Sequence, residues 1–311
     1  MAPSTGQLSV DPLWPRAGNW PAPTREAIDF GLIGIPTWQT SLSATKAYET
    51  PAAVREALRY YSEYFDGAGF GGSEGSASAS GGGSGELRFA DWGDIENPDT
   101  DERRAIAAVA ETTARLLVAL GGDNAATVPA ALGSWGDRIT AAGLVTVDAH
   151  YDLRDGVSNG SPVRRLIEAG LSGKRVVQIG IADFANSAEY AARAADYGIT
   201  VIHRHVLAER PIADVMAEAL AIAASAGGPV HVDLDVDVCD RSVAPACPAS
   251  VPGGISAFEL RTAARVAAAH PAVESIDLTE VDATADVADN RTVRLVALCV
   301  LEAAAGLRLR A

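Results

Sequence analysis

Short runs rich in β-branched residues alternate along the chain with longer alanine-rich stretches. The short runs predict strands, and several of the longer stretches place apolar residues at helical spacing with one charged face. Strands are predicted at 29–36, around 87–94, and at 143–147, 175–181, 199–202, 229–236 and 273–281. Helices are predicted at 51–65, 100–120, 161–170, 187–198, 212–226, 256–270 and 291–306. This alternation predicts an α/β fold, with helices on both faces of a parallel sheet.

One segment interrupts the alternation. Residues 66–86, DGAGFGGSEGSASASGGGSGE, are almost entirely Gly, Ser and Ala. Such a segment buries too little apolar surface to offset the entropy of ordering it, so we predict a flexible loop. A domain linker is the alternative, but the part before it would make a poor domain alone and the strand–helix pattern resumes after it. We therefore predict a single domain over 1–311 with a flexible insertion at about 66–86.

Charge and composition narrow the range of partners. The formal net charge is 25 − 40 = −15, and no basic cluster is longer than a pair, which argues against nucleic acid and anionic membranes as partners. No apolar run reaches the roughly 20 residues that span a bilayer, and the N-terminal segment is polar and broken by prolines. The three cysteines lack CxxC spacing and predict reduced thiols in a cytoplasmic protein.

The segment VTVDAHYDLRD, 145–155, contains the strongest chemical signal. Asp148, His150 and Asp152 follow a predicted strand at every second position, so they would share one side at its carboxyl end. Ligands bind at that edge of open α/β sheets. A polar loop that caps the next helix is the alternative, although three such residues within five make it less attractive.

A second acidic pattern lies in HVDLDVDVCD, 231–240. Asp233, Asp235 and Asp237 alternate with apolar residues, which predicts a buried strand with three carboxylates on one face. Buried carboxylates without partners are very costly, and only Arg241 is close in sequence. A bound metal ion would turn their repulsion into coordination.

The two patterns together offer up to five carboxylates and one imidazole. This oxygen-rich set suits Mg²⁺ or Mn²⁺, and the nitrogen ligand favours Mn²⁺. Carboxylates from two strands can bridge two ions ~3.5–4 Å apart, which activate water for attack on carbon or phosphorus. The residues alone therefore predict a two-metal hydrolase and do not name its substrate.

With these patterns in order, the chain resembles the ureohydrolase (arginase and agmatinase) family from about Asp29 to about Gly306. DAHYD resembles the family's DAHxD signature, and DLDVDVCDRSVAPACPASVPGG resembles its SxDxDxxDPxxAPG…PGG segment. GGDNAATVP falls where the family has GGDHS followed by a proline, and ADWGDI and TEVDATAD are similar to further landmarks. The resemblance implies a three-layer α/β/α arginase-like fold with a mostly parallel eight-stranded sheet. It also implies two Mn²⁺ ions and cleavage of carbon–nitrogen bonds in guanidino or formimino compounds.

Matched position by position, the resemblance implies a set of metal ligands and a contact to substrate. Glu280 matches the acidic residue that contacts the cationic amidine-like group of the substrate. Asp233 stands where a serine is usual and is not implied as a ligand. The implied metal ligands are Asn124, Asp148, His150, Asp152, Asp235 and Asp237.

Two positions depart from the family pattern. Asn124 replaces a histidine ligand, and because an amide oxygen is a poorer donor than imidazole, the first metal site is expected to be weakened; an Asn that only caps the next helix is the alternative. Asn159, in SNGSPVRR, replaces a histidine that shuttles protons and is expected to bind substrate. The formimidoylglutamase branch lacks that histidine too, and 180–199 and 287–302 are also similar to that branch.

This branch implies hydrolysis of N-formimidoyl-L-glutamate to formamide and L-glutamate, a step of histidine breakdown. Asp152 is expected to pass a proton to the leaving amine, and Glu280 to hold the positive charge of the formimino group. The substrate's two carboxylates require cations. Arg164 is the first candidate, although a solvated arginine at a helix start is the alternative reading. The weaker candidates for substrate carboxylates are Arg154 and Arg241.

Other interpretations stay open at this point. The same chemistry could act on agmatine or a guanidino acid and release urea, or the chain could be an inactive family member. Cys239 and Cys247 flank the second acidic strand, so a redox role is conceivable, but core thiols are the simpler interpretation. The resemblance implies a homotrimer or homohexamer.

Overall fold

The computed structural model describes residues 8–65 and 87–310. The predicted insertion at 66–86 lies outside the described residues. The strands before and after it, Ile28–Ile35 and Phe89–Asp94, pair with each other in one sheet. The single-domain prediction stays a prediction, but this pairing ties the two sides of the segment together.

A parallel sheet of eight strands forms the centre of the described structure. Its spatial order is β2-β1-β3-β8-β7-β4-β5-β6, and every neighbouring pair is parallel. The predicted α/β class and eight-stranded parallel sheet are therefore confirmed. In chain order, β1–β8 are Ile28–Ile35, Phe89–Asp94, Ala114–Gly121, Gly143–Val147, Val176–Ile181, Thr200–His203, Val230–Asp235 and Val273–Thr279.

Eight helices of the described residues cover the sheet on both faces. In chain order, α1–α8 are Thr50–Leu58, Glu102–Ala110, Thr127–Trp135, Pro162–Glu168, Ala188–Tyr197, Ile212–Ala223, Ala257–Ala269 and Arg291–Arg308. Helices α1, α6, α7 and α8 pack into one core cluster, and α2 to α5 contribute to the clusters on the opposite face. None of these helices combines the length and apolar character needed to cross a membrane.

The acidic strand β7 shows how the side-chain alternation sorts residues between the layers. Val230, Val232 and Leu234 belong to the core cluster beneath α6 and α7. His231 points the other way and meets Trp135 of α3 edge to face, with ring centroids 6.3 Å apart. Asp233 and Asp235 lie on the same side of the strand as His231, because side chains two residues apart lie on the same face.

One predicted helix was wrong. The stretch 100–120 divides into α2, which ends at Ala110, and β3, which begins at Ala114. Alanine and leucine suit a helix, but a short apolar run cannot be assigned from its pattern alone, and neighbouring strands decided the outcome. Strand β3 pairs with β1 on one side and β8 on the other. The strand that leads to Asn124 was therefore not predicted from the sequence.

Candidate metal centre

Four neighbouring strands bring the predicted site residues together. In the order β3-β8-β7-β4, these strands end beside one another at the carboxyl edge of the sheet. Asn124 follows β3, Glu280 follows β8, Asp235 ends β7 and Asp148 follows β4. This edge is where open α/β sheets bind their ligands.

Asp148, His150 and Asp237 form the tightest group. The His150 Nδ1 atom lies 2.7 Å from Asp237 Oδ2 and 3.6 Å from Asp148 Oδ1. One potential ligand atom from each of the three residues lies within 4.8 Å of the others. Both aspartates are buried, and the imidazole is partly accessible. The arrangement presents two carboxylates and a ring nitrogen to one point.

Backbone amides fix the orientation of the carboxylates. His150 N donates to Asp148 Oδ1 over 2.6 Å, and Ala149 N donates to Asp237 Oδ1 over 3.0 Å. Asp237 N donates to Asp235 Oδ1 over 2.8 Å. Asp148 Oδ2 is buried and has no hydrogen-bond partner among the described residues. Asp148 and Asp235 therefore each keep one oxygen for a further ligand, and Asp237 turns its second oxygen to His150 Nδ1, which fits a hard cation held mostly by oxygen.

The electrostatics of the group also fit a bound cation. Burial, together with neighbouring Asp237, raises the pKa of Asp148 to about 6. Burial and nearby carboxylates raise the pKa values of Asp152 and Asp235 well above the usual range. Burial lowers the pKa of His150, but Asp237 and Asp148 outweigh it and bring that pKa to about 12. Without a cation, the site therefore holds its protons tightly, and metal ions would replace them.

Asn124 contacts the cluster through its amide nitrogen. Its Nδ2 atom donates to Asp152 Oδ2 over 2.5 Å. Its Oδ1 atom accepts from the hydroxyls of Thr127 and Thr279 over 2.6 and 3.0 Å. An amide nitrogen is a donor and does not ligate a cation. The prediction that Asn124 ligates metal stays a prediction, and it requires the carboxamide to turn its oxygen towards the carboxylates.

Glu280 is held by two donors from separate loops. Asn159 Nδ2 donates to its Oε1 atom over 2.6 Å, and Asn124 N donates to the same oxygen over 2.8 Å. Burial, followed by the charge of Asp123, raises the pKa of Glu280 to about 8. Asn159 is fixed in turn, because its Oδ1 atom accepts from Leu42 N over 3.0 Å. Glu280 and Asn159, two of the three residues predicted to contact substrate, are thus tied to the same site.

Asp152 and Glu280 share an uncommon backbone conformation. Their φ angles are +53° and +63°, in the left-handed region. This region disfavours residues with a side chain, Glu more than Asp, and persists where the surroundings enforce it. The carbonyl of Asp152 accepts from Arg164 N over 3.2 Å, and Glu280 N donates to the carbonyl of Gly122 over 2.9 Å. The fold therefore directs these two side chains towards the site despite the conformational free energy that the left-handed backbone costs.

A cavity of about 400 Å³ opens above the cluster. Its walls come from the metal-site loops, from the 154–160 loop, and from two segments to which the sequence analysis gave no role. These are the loop at Leu42 and Ser43, and the start of α5. The polar and charged residues among its lining are Ser43, His150, Asp152, Arg154, Asn159, Asn186, Ser187, Tyr190, Asp235, Asp237 and Glu280.

The prediction that Arg164 binds substrate is not supported by its position. Arg164 is buried and does not line the cavity. Its guanidinium donates to the carbonyls of Arg154 and Gly156 and pairs with Glu168 at 2.5 Å. The solvated alternative does not fit either, because the side chain is buried and its guanidinium bonds to the loop backbone. Of the two weaker candidates, Arg154 lines the cavity, whereas Arg241 does not and instead donates to the carbonyl of Cys247 over 2.5 Å.

Asn186 is a structural residue of the site that sequence reasoning missed. Its Oδ1 atom accepts from Tyr151 N over 3.1 Å, and its Nδ2 atom donates to the carbonyl of Ala149 over 2.9 Å. It thereby holds the backbone on either side of His150. The available signal was the FANS segment after β5, which lies in the stretch 180–199 that is similar to the formimidoylglutamase branch.

Asp233 and the cysteines lie away from the cavity. Asp233 is buried opposite Asp277 of β8, below the site. All three cysteines are buried and unpaired with one another. Burial raises the pKa of Cys239 and Cys247, so neither is a reactive thiolate at neutral pH. Their position agrees with core thiols.

Comparison with known proteins places these observations in a family. The arginase family profile matches residues 28–306. The formimidoylglutamase of Halalkalibacterium halodurans is 32% identical over 270 residues, covering 83% of this chain and 81% of the relative. That of Bacillus subtilis strain 168 is 32% identical over 291 residues, covering 89% and 87%. The crystal structure of the Bacillus subtilis enzyme matches with a TM-score of 0.84 at 27% identity, covering 98% of this chain and 96% of that one. The chain belongs to the arginase family.

Proposed function

We propose that this chain hydrolyses N-formimidoyl-L-glutamate to L-glutamate and formamide, a step of histidine breakdown, with two bound Mn²⁺ ions. The observation that carries the proposal is the buried Asp148–His150–Asp237 group in a cavity that also presents Glu280. Similarity to formimidoylglutamases over most of the chain supports the choice of substrate.

The metal ions would be held mainly by side chains already gathered at the sheet edge. We keep Asn124 as a proposed sixth ligand, conditional on rotation of its carboxamide. Bound Mn²⁺ lowers the pKa of water and so supplies a nucleophile at neutral pH. The other proposed ligands are Asp148, His150, Asp152, Asp235 and Asp237.

Glu280 and Asn159 would bind the formimino end of the substrate. The two hydrogen bonds to Glu280 Oε1 leave Oε2 for the cationic amidine group. The raised pKa of Glu280 in the metal-free protein means that a cation beside it is needed for full ionisation at neutral pH. Substrate binding and ionisation of Glu280 therefore support each other.

Asp152 would move the proton of the reaction. Its Oδ2 atom accepts from Asn124, so the carboxylate is oriented while its other oxygen is left for the metal site and the reacting groups. A carboxylate in this position can take up a proton and release it to the leaving amine.

No specific observation favours the guanidino alternative. In agmatinases and arginases the position of Asn159 holds a shuttle histidine, whereas here it holds an amide bound to Glu280. An inactive chain is also disfavoured, because five of the proposed ligands lie together at the carboxyl edge of the sheet.

The experiment is an assay of product release by the purified, Mn²⁺-loaded chain. Formimidoylglutamate, agmatine, arginine and 4-guanidinobutyrate would be offered in parallel, with a chelated sample as control. We expect Mn²⁺-dependent formation of glutamate from the first substrate alone. Release of urea from a guanidino substrate would contradict the proposed substrate. If none of the four compounds is hydrolysed, the proposed activity is wrong.

We further propose that the protein is a cytoplasmic homotrimer or homohexamer with one domain per chain. The family resemblance supports the oligomer, and three cysteines without CxxC spacing support the location. Light scattering coupled to size-exclusion chromatography would give the number of chains directly.

A further inference from the structure

Asp233 is a buried carboxyl group to which the proposed chemistry gives no role. It lies on β7, two residues before Asp235, and only 1% of it is exposed. Among the described residues, its Oδ2 atom has no hydrogen-bond partner, and its Oδ1 atom accepts one long hydrogen bond of 3.5 Å from the hydroxyl of Thr279. A buried carboxyl group with so few donors is costly, and here it leaves a strong acceptor beside Thr279.

Thr279 connects Asp233 to Asn124. It ends β8, and its side chain is buried. Its hydroxyl oxygen lies 3.0 Å from Asn124 Oδ1 and 3.5 Å from Asp233 Oδ1. A hydroxyl has one hydrogen to donate, and it can also accept a hydrogen bond. The single hydrogen of Thr279 therefore serves one neighbour at a time, and in this structure the shorter distance assigns it to Asn124.

Rotation of the Asn124 carboxamide changes what Thr279 must do. A half-turn about the Cβ–Cγ bond exchanges the amide oxygen and nitrogen, so that the oxygen faces the carboxylates of the metal site. The nitrogen then faces the hydroxyls of Thr127 and Thr279 and has one hydrogen for each. A hydroxyl that accepts from the amide must donate its own hydrogen elsewhere. For Thr279, the acceptor within reach is Asp233 Oδ1.

The Asp233 oxygen therefore favours one of the two orientations of Asn124. With the amide nitrogen towards Asp152, as in this structure, Asn124 is held without help from Asp233. With the amide oxygen towards the metal site, the Thr279 hydrogen would have no acceptor if Asp233 were absent, and an unpaired buried donor is unfavourable. Asp233 thus stabilises the rotated orientation and contributes little to the other.

We propose that Asp233 is a positioning residue that acts through Thr279 and stabilises the orientation of Asn124 in which the amide oxygen faces the metal site. The inference rests on the proposed function, in which Asn124 ligates Mn²⁺. It also links two departures from the family pattern, because Asn124 stands where a histidine is usual and Asp233 where a serine is usual. An imidazole ligand has no amide to be turned, so this support is needed when an asparagine replaces it.

The test measures the Mn²⁺ affinity of the full chain and its variants by titration in a metal-buffered solution. Asp233→Leu removes the acceptor, whereas Asp233→Asn keeps an acceptor oxygen and removes the charge. Thr279→Val removes the connecting hydroxyl, and combining it with Asp233→Leu completes a double-mutant cycle. Thr127→Val is the matched control, because the Thr127 hydroxyl bonds the same Asn124 oxygen over 2.6 Å but has no hydrogen bond to Asp233 in the described structure.

We expect Asp233→Leu and Thr279→Val each to raise the Kd of the more weakly held Mn²⁺ about 3- to 10-fold, the range for one hydrogen bond. The combined variant should match Thr279→Val alone, because Asp233 acts through that hydroxyl. Asp233→Asn should stay within about twofold of the wild type. So should Thr127→Val, because Thr127 bonds the carboxamide in both orientations.

Two results would overturn the inference. One is an unchanged Mn²⁺ affinity in Asp233→Leu, and the other is equal weakening in Asp233→Leu and Asp233→Asn, which would assign the effect to charge. If Asp233→Leu does not fold, the two threonine variants decide, since both are close to the wild type in shape. Equal Mn²⁺ affinity in Thr279→Val and Thr127→Val would then overturn the inference.

An assay of formimidoylglutamate hydrolysis on the same samples separates this inference from the proposed function. If Mn²⁺ affinity depends on Asp233 as expected but the wild-type chain hydrolyses none of the substrates, the function is wrong and the positioning role stands. If the wild-type chain hydrolyses formimidoylglutamate and Asp233→Leu binds Mn²⁺ equally well, the function stands and the role of Asp233 is wrong.

Discussion

Asn124 and Asp152 lie 28 residues apart in the chain and follow strands separated by β8 and β7, yet a hydrogen bond of 2.5 Å joins them. The bond runs from the amide nitrogen to the carboxylate, so Asn124 restrains a proposed metal ligand whether or not it binds metal itself. Two threonine hydroxyls hold the amide in this orientation.

Replacing Asn124 by histidine tests the weakness of the first metal site. We expect Asn124→His to bind the more weakly held Mn²⁺ about 10-fold more tightly, because imidazole is a better ligand than an amide. Titration in a metal-buffered solution measures the change. Asn124→Leu, which offers neither ligand nor hydrogen bond, should weaken Mn²⁺ binding instead. Equal Mn²⁺ affinity in all three chains would show that this position does not affect the metal.

Metal binding is expected to release protons. His150 has a pKa of about 12 in the metal-free protein, so it carries a proton at pH 8 that Mn²⁺ must displace. Asp148, with a pKa of about 6, adds to the release only near and below that pH. Calorimetry in buffers of different ionisation enthalpy counts these protons. His150→Asn should release about one proton fewer at pH 8, and release that does not depend on His150 would contradict the assignment.

The metal-free protein should lose stability as the pH rises. The folded pKa of Asp148 is raised, so its contribution is favourable below pH 3.8 and is lost as the pH approaches about 6. Glu280 acts in the same sense between pH 4.5 and about 8. In the presence of a chelator, Asp148→Asn should raise the melting temperature at pH 8 by several degrees. Mn²⁺ should stabilise the wild type at pH 8 more than this variant, and the opposite order would contradict the electrostatic account.

Arg164 and Arg154 should differ in what their removal affects. Arg164→Met leaves the carbonyls of Arg154 and Gly156 without their buried donor, so we expect it to cost about 1–3 kcal/mol of unfolding free energy. Arg154→Met removes no hydrogen bond within the described residues and should leave that free energy within about 0.5 kcal/mol. Urea denaturation of both variants decides between these expectations. A larger loss in Arg154→Met would mean that the structural role belongs to Arg154.

The sequence was informative where residue spacing and strand direction act together. Two groups of site residues were found because parallel strands end at the same edge of the sheet. They are Asp148, His150 and Asp152 after one strand, and Asp235 and Asp237 at the end of another. Strand β3 was missed because its alanines and leucines suit either structure, and pairing with β1 and β8 determined the result.

The arginines show a second limit of sequence reasoning. The resemblance pointed to Arg164, but residues 152–161 turn so that Arg154 meets the cavity and Arg164 meets the loop backbone. The hydrogen bond from Leu42 N to Asn159 spans 117 residues of sequence, and no local sequence pattern predicts it. The direction of a side chain in a loop depends on tertiary packing, which the spacing of residues in the sequence does not reveal.

The left-handed backbone at Asp152 and Glu280 has a consequence for how this chain can change over time. Glycine is the residue that this conformation accommodates best. A mutation to glycine at either position would relieve strain and remove a proposed functional carboxyl group. Selection for folding and selection for catalysis therefore act in opposite directions at these two positions. In a duplicated gene copy that is no longer selected for catalysis, we expect glycine substitutions at positions 152 and 280 before substitutions in the core.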